Sequence, residues 1–429
     1  MIKNTKIFLY SILFILHYNF IIAAEKIDNN NQLKQFIEEH GDLSIGEINF
    51  SGLKKTKPSV IQPHLKIKKG MLLSEFDANH FIQDMHATKL FKEIKIDYSA
   101  MDEKVFINIY FKEKITLIPI PFISTSATTT SYGIYLMEQN FFGYNKKLFI
   151  GASFSSLGWI SRIGYIDPKI IGTDFVCNLY SHYGIQTFEN ADSEGDIYQI
   201  YNTDNLMLSC AFGYRLIKIV VPYIVNRYKR AIVDMDYSAS ENPPSSAQSI
   251  EHGIMLRIRD LYYADVFEYG IDSRIEYVHG FPNGDHRKEY DSIRFRAKYS
   301  FHGFNDQRVY FTLNFGYGNV PTVFEERIGG KYGFKTLPSQ QVATDHYLSF
   351  SATNEVPVAL KSWGVLSVTI FCETGMYRHN NISGELFYGP GVGMRLYLKD
   401  VAVPAFGVDV AYNVRYNNAE ISAFVGASM

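Results

Sequence analysis

From residue 119 to the C-terminus, apolar and polar residues alternate with a period of two, and no stretch keeps a helical period. In 308–318, Val309, Phe311, Leu313, Phe315 and Tyr317 share one face, and Tyr310, Thr312, Asn314, Gly316 and Gly318 share the other. Residues 405–416 repeat the pattern, with Phe406, Val408, Val410, Tyr412, Val414 and Tyr416 set against Gly407, Asp409, Ala411, Asn413 and Arg415. Such alternation predicts strands. In Val365–Gly375 the face of Leu366, Val368, Ile370 and Cys372 is the more uniformly apolar, so Glu373 is expected to point away from it, together with Val365, Ser367, Thr369 and Phe371. A soluble β-sandwich would alternate too. Segments of about 9–12 residues, longer than usual soluble strands, favour a membrane barrel, as do the Asp, Arg and Asn on the polar faces. Hydrocarbon leaves no partner for a free N–H or C=O, so a membrane sheet must close on itself. At about 20 residues per strand and loop, the stretch holds about 16 strands, with the count open by one or two in 190–240. The expected fold is mainly β: a transmembrane antiparallel β-barrel over 116–429.

Upstream the periodicity changes. Asn31–His40 shows a short helical pattern with Leu33, Phe36 and Ile37 on one face, ending at Gly41. Leu43–Phe50 reads as a strand with a turn at Ser51-Gly52. Thr56 can cap a helix with Pro58 in its first turn, running to about Leu65. Ser74 opens a second helix carrying Phe76, Phe81, Met85 and Leu90. Two alternating strands, Phe91–Tyr98 and Val105–Phe111, close a small α+β unit over 43–115, with 25–42 as linker and short helix. At the N-terminus, Lys3 and Lys6 precede the apolar run Ile7–Ala24, which ends in Ala23-Ala24 before Glu25. That is the layout of a secretory signal peptide over 1–24. A membrane-anchor helix is the alternative, although His17 and Asn19 interrupt the run and Ile22 is unusual three residues before the cut.

Composition narrows the function. The net charge of −2 argues against nucleic acid as a partner. Cys177, Cys210 and Cys372 are odd in number and far apart, with neither a disulfide framework nor metal-ligand spacing. No HExxH, Gly-x-Ser-x-Gly or Walker-type loop occurs. No cofactor or catalytic activity is therefore expected. His279 and His286 flank Gly280–Asp285, read as an external loop, and Arg227, Lys229 and Arg230 form a basic cluster suited to a solvated loop or to lipid headgroups. Phe and Tyr near strand ends suit interfacial belts.

The strand–helix–helix–strand–strand order with Gly52, Gly70 and LFKEIKIDY resembles a POTRA domain, a periplasmic module of outer-membrane assembly barrels. Tyr132–Asn140 with Phe142-Gly143-Tyr144-Asn145, Tyr165–Pro168 with Gly172, Asn354–Pro357, Phe371–Gly375 and Gly391–Arg395 follow in the order of the BamA/TamA type, the bacterial surface-antigen family. GGKYGFKTLP, within Arg327–Pro338, resembles that family's inward-folded loop. The family's loop Arg, Gly and aromatic stand here as Lys335, Thr336 and Leu337, its strand Asp as Glu373 and its terminal aromatic as Met429.

The resemblance implies a protein that inserts or exports polypeptides, with outer-membrane lipid, unfolded clients and accessory subunits as partners. It places Gly329, Gly330, Phe334, Lys335, Pro338, Glu373 and Arg395 in the lumen, with Lys335 expected to pair with Glu373. Family topology makes Phe91–Tyr98 an edge strand, with Phe91, Ile94, Lys95, Ile96 and Tyr98 as the client-docking edge. A closed barrel would pair Tyr132–Gln139 with Ile421–Met429, giving a lateral seam at Tyr132, Ile134, Leu136, Ile421, Gly426 and Met429. A two-partner-type secretion pore or passive channel, and a mitochondrial outer-membrane sorting barrel, are the alternatives.

Overall fold

The computed structural model describes residues 36 and 39–429, except 126–129, 192–196, 239–242, 244, 265, 285–287, 305, 331–332, 338–341, 379–384, 402–405 and 426–429. The signal-peptide reading lies outside these residues, as does most of the Asn31–His40 helix, of which Phe36, Glu39 and His40 are helical.

The N-terminal domain consists of β1 (Ser44–Ser51), α1 (Pro58–Leu65), α2 (Ala78–Ala87), β2 (Phe91–Met101) and β3 (Lys104–Glu113). β3 lies between the other two strands, parallel to β1 and antiparallel to β2. Ile61, Leu65, Phe81 and Met85 from the helices are buried in one core with Ile45, Val105, Ile107, Ile109 and Phe111. Each fully buried side chain of this size contributes about 1.5–3 kcal/mol. Two expected caps are replaced. Pro58 starts α1, as expected from its fixed φ, but Lys57 occupies the cap position with no side-chain bond. Ser74 falls in a 3₁₀ turn, and the second helix begins at Ala78, where Asp77 accepts the His80 N–H at 2.9 Å.

The remainder forms one sixteen-stranded antiparallel sheet. Its strands are β4 (Leu117–Thr125), β5 (Thr130–Phe141), β6 (Lys146–Ser155), β7 (Gly158–Asp167), β8 (Phe175–Ala191), β9 (Ile197–Tyr214), β10 (Val220–Ser238), β11 (Ser246–Ala264) and β12 (Phe267–Gly284). Then come β13 (Tyr290–His302), β14 (Arg308–Gly318), β17 (His346–Lys361), β18 (Gly364–Arg378), β19 (Glu385–Leu398), β20 (Phe406–Asn413) and β21 (Asn418–Val425). A small ladder, β15 (Glu326–Ile328) with β16 (Val342–Thr344), sits in the insertion between β14 and β17. Every strand pairs with its chain neighbour apart from this insertion, and the sheet curls until β21 lies beside β4.

Burial inverts the pattern of a soluble protein. On β14, Phe311, Leu313 and Phe315 face outward and exposed, while Tyr310, Thr312 and Asn314 are buried inside. On β18, Leu366, Val368, Ile370 and Cys372 face outward, and Val365, Ser367, Thr369, Phe371 and Glu373 inward. An apolar exterior around a polar interior fits hydrocarbon and excludes a sandwich.

Several local expectations change. Strands β8–β12 run 17–19 residues, well beyond the expected length. Consequently Gly280–Gly284 is strand and not loop, and His279 meets Asp291 at 2.9 Å; His286 lies outside the described residues. The basic cluster is not a loop. Arg227 and Lys229 sit on β10, face the lumen and pair with Glu251 at 3.3 and 2.6 Å, whereas Arg230 pairs with Asp204 at 3.2 Å on the opposite face. β20 stops at Asn413, so Val414–Tyr416 belong to a turn.

Leu313→Arg, on the lipid-facing side, is expected to lower barrel stability by about 2–4 kcal/mol. Thr312→Ser, one residue away but facing the lumen, is expected to cost far less. Urea titration of protein refolded into lipid vesicles measures both, and equal losses would contradict the assigned faces.

Candidate functional site

The insertion between β14 and β17 folds into the lumen. Gly329, Gly330 and Gly333 have φ of +117°, +74° and +87°, values that only glycine adopts without strain. The Gly330 N–H donates to the carbonyls of Phe334 and Leu337 at 2.9 and 3.1 Å, closing a compact turn. At Gly333 a Cβ would meet Asn314 Nδ2 at 2.8 Å and Ser349 Oγ at 3.0 Å, so the loop lies directly on the barrel wall. Phe334 and Leu337 are buried with Tyr347, Tyr377 and Phe387. Pro338 lies outside the described residues.

Lys335 and Glu373 do meet, but not as the expected ion pair. The Lys335 backbone N–H donates to both Glu373 oxygens, at 2.9 and 2.8 Å. Its ammonium continues to Asp409 on β20, at 2.9 Å, and lies 4.2 Å from the centroid of the Phe371 ring. Arg395 reaches the same Asp409 carboxylate at 2.7 Å. The carboxylate opposite Lys335 therefore comes from the strand after Arg395, and Glu373 acts as a main-chain anchor.

Asp409 was legible as the lone acid on the polar face of 405–416, but register alone could not show it beside Lys335. On the opposite wall, Arg327 donates to Asn190 Oδ1 at 3.0 Å and Tyr201 OH at 3.1 Å, over the Phe188 ring. The loop thus spans the lumen from β8–β9 to β18–β20. A second buried group joins Arg308 with Glu355 and Tyr397; Glu355 falls in the stretch Asn354–Pro357 singled out by its resemblance, but nothing local pairs it with Arg308.

The seam lies one strand earlier than expected. Tyr132–Gln139 belongs to β5, which is paired on both sides, with Tyr132 opposite Ile123 on β4 and Phe154 on β6. Tyr132, Ile134 and Leu136 are exposed lipid-facing residues of an interior strand. The ends of the sheet are β4 and β21; Ile421 lies on β21, and Gly426 and Met429 lie outside the described residues. The two end strands adjoin, but among the described residues no ladder joins them.

β4 itself explains why. The Gln139 N–H donates to the Thr116 carbonyl at 2.9 Å, and Leu117 stands opposite Glu138. Antiparallel pairs alternate between bonded and non-bonded positions. Thr116, Ile118 and Ile120 therefore bond toward β5, and Leu117, Pro119 and Pro121 turn their backbone toward the seam. Proline has no N–H. Two successive donor positions on the seam edge are empty.

The N-terminal domain docks on the barrel rim from which β4 starts. Lys55 Nζ meets Glu138 at 2.5 Å and Thr116 Oγ1 at 3.1 Å, and Asn140 Nδ2 donates to Thr56 Oγ1 at 2.9 Å. Thr56 therefore joins the two domains and does not cap α1. The Lys57 N–H donates to the Gly143 carbonyl at 2.9 Å, and a Cβ at Gly143 would sit 2.1 Å from the Lys55 carbonyl oxygen.

On α2, Asp84 takes Lys218 Nζ at 2.5 Å and His64 Nδ1 at 3.2 Å. Burial pushes the Asp84 carboxyl up, but hydrogen bonds from His64 and Lys218 outweigh it and hold the group at about 2. β2 is an edge of its sheet. Phe91 is buried in the core, Ile94, Ile96 and Tyr98 pack against it, and Lys95 is exposed, 2.8 Å from Glu93.

Residues 43–114 match the POTRA family, described as "Surface antigen variable number repeat". No curated protein matches the chain. Among solved structures, BamA from Haemophilus ducreyi lacking POTRA domains 1–3 is 13% identical with a TM-score of 0.55, covering 96% of this chain and 94% of that one. CdiB from Escherichia coli is 11% identical with a TM-score of 0.61, covering 90% and 76%. CdiB from Acinetobacter baumannii is 12% identical with a TM-score of 0.55, covering 89% and 73%.

Two outcomes test these contacts. A double-mutant cycle on thermal unfolding is expected to give a larger coupling for Lys335→Ala with Asp409→Ala than for Lys335→Ala with Glu373→Ala, because only the first pair meets through side chains. Breaking one member of a buried ionic group costs about 3–5 kcal/mol; a larger Glu373 coupling would refute the assignment. For Asp84, whose folded value lies below the ordinary 3.8, the stabilisation is complete above about 4 and is lost as pH falls through about 2. Hydrogen exchange at α2 should rise over that window, and Asp84→Asn should remove the dependence. Residues 43–114 thus form a domain that matches the POTRA family, and it is joined to a sixteen-stranded sheet with the fold of the BamA and CdiB structures.

Proposed function

We propose that the protein resides in the outer membrane and assists the insertion or translocation of other polypeptides, binding extended clients along β2 and admitting them at the β4–β21 seam. The observation that carries this reading is the seam edge of β4, where Pro119 and Pro121 leave donor positions empty. A passive barrel gains nothing from an unpaired edge in hydrocarbon, where each unsatisfied group is costly. A barrel that receives a new strand needs one it can open. Strand addition to an exposed edge is a general mode of peptide capture, and β2 offers such an edge beside the rim. The loop braced across the lumen by Arg327 and Lys335 weighs against a freely open pore.

Replacing both prolines, Pro119→Val with Pro121→Thr, restores two seam-facing donors. At about 0.5–1.5 kcal/mol per hydrogen bond, the variant is expected to unfold at higher temperature. It is also expected to insert fewer molecules of an unfolded eight-stranded barrel protein supplied to reconstituted vesicles. Higher stability with undiminished insertion would refute the seam as the entry, and the passive channel would become the better account.

A further inference from the structure

At the POTRA end of the seam, the closing contacts come from the turn after β19. The Ile115 N–H, in the linker just before β4, donates to the Asp400 carbonyl at 2.8 Å. Ile115 also forms an isolated parallel bridge with Val401, whose side chain packs against buried Ile118 and Ile120 on β4. The same turn is held from behind by the Lys399 N–H on the Trp363 carbonyl, at 3.0 Å. Residues 400–401 thus hold the start of the first seam strand.

The turn is also tied to the POTRA domain. The Asp400 carboxylate meets the ammonium of Lys92 on β2. Lys92 stands where the β2–β3 register slips, since Phe91 faces Glu113 and Glu93 faces Lys112. The extra residue is a β-bulge, a device that re-aims a side chain out of the ladder. Here it sends Lys92 to the barrel, although Lys92 belongs to the strand read above as the client-docking edge.

We propose that the turn 399–401 is a strap that holds the seam closed, and that an extended polypeptide chain pairing along the free edge of β2 displaces Asp400 from Lys92 and releases it. Lys92 is then a positioning residue that couples occupancy of β2 to the state of the seam. The Lys92–Asp400 contact suits this role because Asp400 remains half exposed, so an incoming chain can compete for it. The coupling rests on the reading of β2 as the docking edge; the strap itself rests on the contacts of Asp400 with Ile115 and Lys92 and of Val401 with Ile118 and Ile120.

The test uses the full chain in lipid vesicles and reads amide hydrogen exchange in Leu117–Thr125 and Asn418–Val425. Lys92→Ala and Asp400→Ala are each expected to raise exchange there roughly fivefold, which is about 1 kcal/mol at tenfold per 1.4 kcal/mol. The charge-swapped pair, Lys92→Asp with Asp400→Lys, should restore protection, and Lys95→Ala, whose ammonium pairs with Glu93 within β2, should change nothing at the seam. A synthetic peptide of alternating valine and threonine bearing a photocrosslinker serves as the extended chain. It should crosslink to Phe91–Tyr98 and raise seam exchange in the wild type, but raise it no further in Lys92→Ala. Unchanged seam exchange in both single variants overturns the strap even where the peptide crosslinks. Failure to crosslink overturns the docking reading, while exchange in the variants still decides the strap.

Discussion

The fold depends on one constraint: in hydrocarbon, every backbone N–H and C=O must find a partner within the protein. Fourteen interior strands meet it by pairing on both sides. The two end strands are the exception, and their composition is not neutral. Pro119 and Pro121 fall on the one register that faces β21, where each removes a donor, while the alternating Ile118 and Ile120 keep their bonds to β5 and their side chains in a small buried cluster with Val401. Both empty donors of β4 lie on that one edge, and the strand carrying them stays anchored to the sheet.

The interior is organised by charge. Buried ions are tolerated only when paired, and in this lumen the pairs also set the position of the loop. Lys335 sends its N–H to Glu373 and its ammonium to Asp409, which Arg395 shares, so a single residue fixes the loop against two strands, β18 and β20. Arg327 fixes the other end against β8 and β9. With Lys in place of the Arg implied by the family resemblance, no planar fork is available to grip one carboxylate with two parallel bonds. The geometry instead divides the task between main chain and side chain.

The POTRA domain continues the same logic at the rim. Lys55, Lys57, Asp84 and Lys92 all reach barrel residues, so the domain is docked against the sheet and not merely tethered to it. Close approach matters as much as charge: Gly143 permits the Lys55 carbonyl where any side chain would collide.

Much of this was legible in the residues. Alternation in 308–318 and 365–375 determined which side chains meet lipid, because period two leaves a strand only one way to bury its polar face. Strand number followed from length, and the helix–strand order of the small domain followed from changes of period and from Pro58. What sequence could not supply was registration across distance. Val, Ile and aromatic residues mark a strand, whereas the two prolines of LIPIPFIST weaken that signal without saying which side loses its donors, since Pro222, Pro357 and Pro390 occur within interior strands; only pairing with β5 shows that the empty donors of Pro119 and Pro121 both face the seam. In the same way, Lys335 could be matched to an acid by type, but which acid depended on the stagger of β18, β19 and β20. Thr56 has the residue type and place of a helix cap, but its hydroxyl accepts a hydrogen bond from Asn140, 84 residues away. Local pattern decided what each segment is, and tertiary structure decided what it faces, because partners on neighbouring strands are chosen by sheet register and loop path, which no local period encodes.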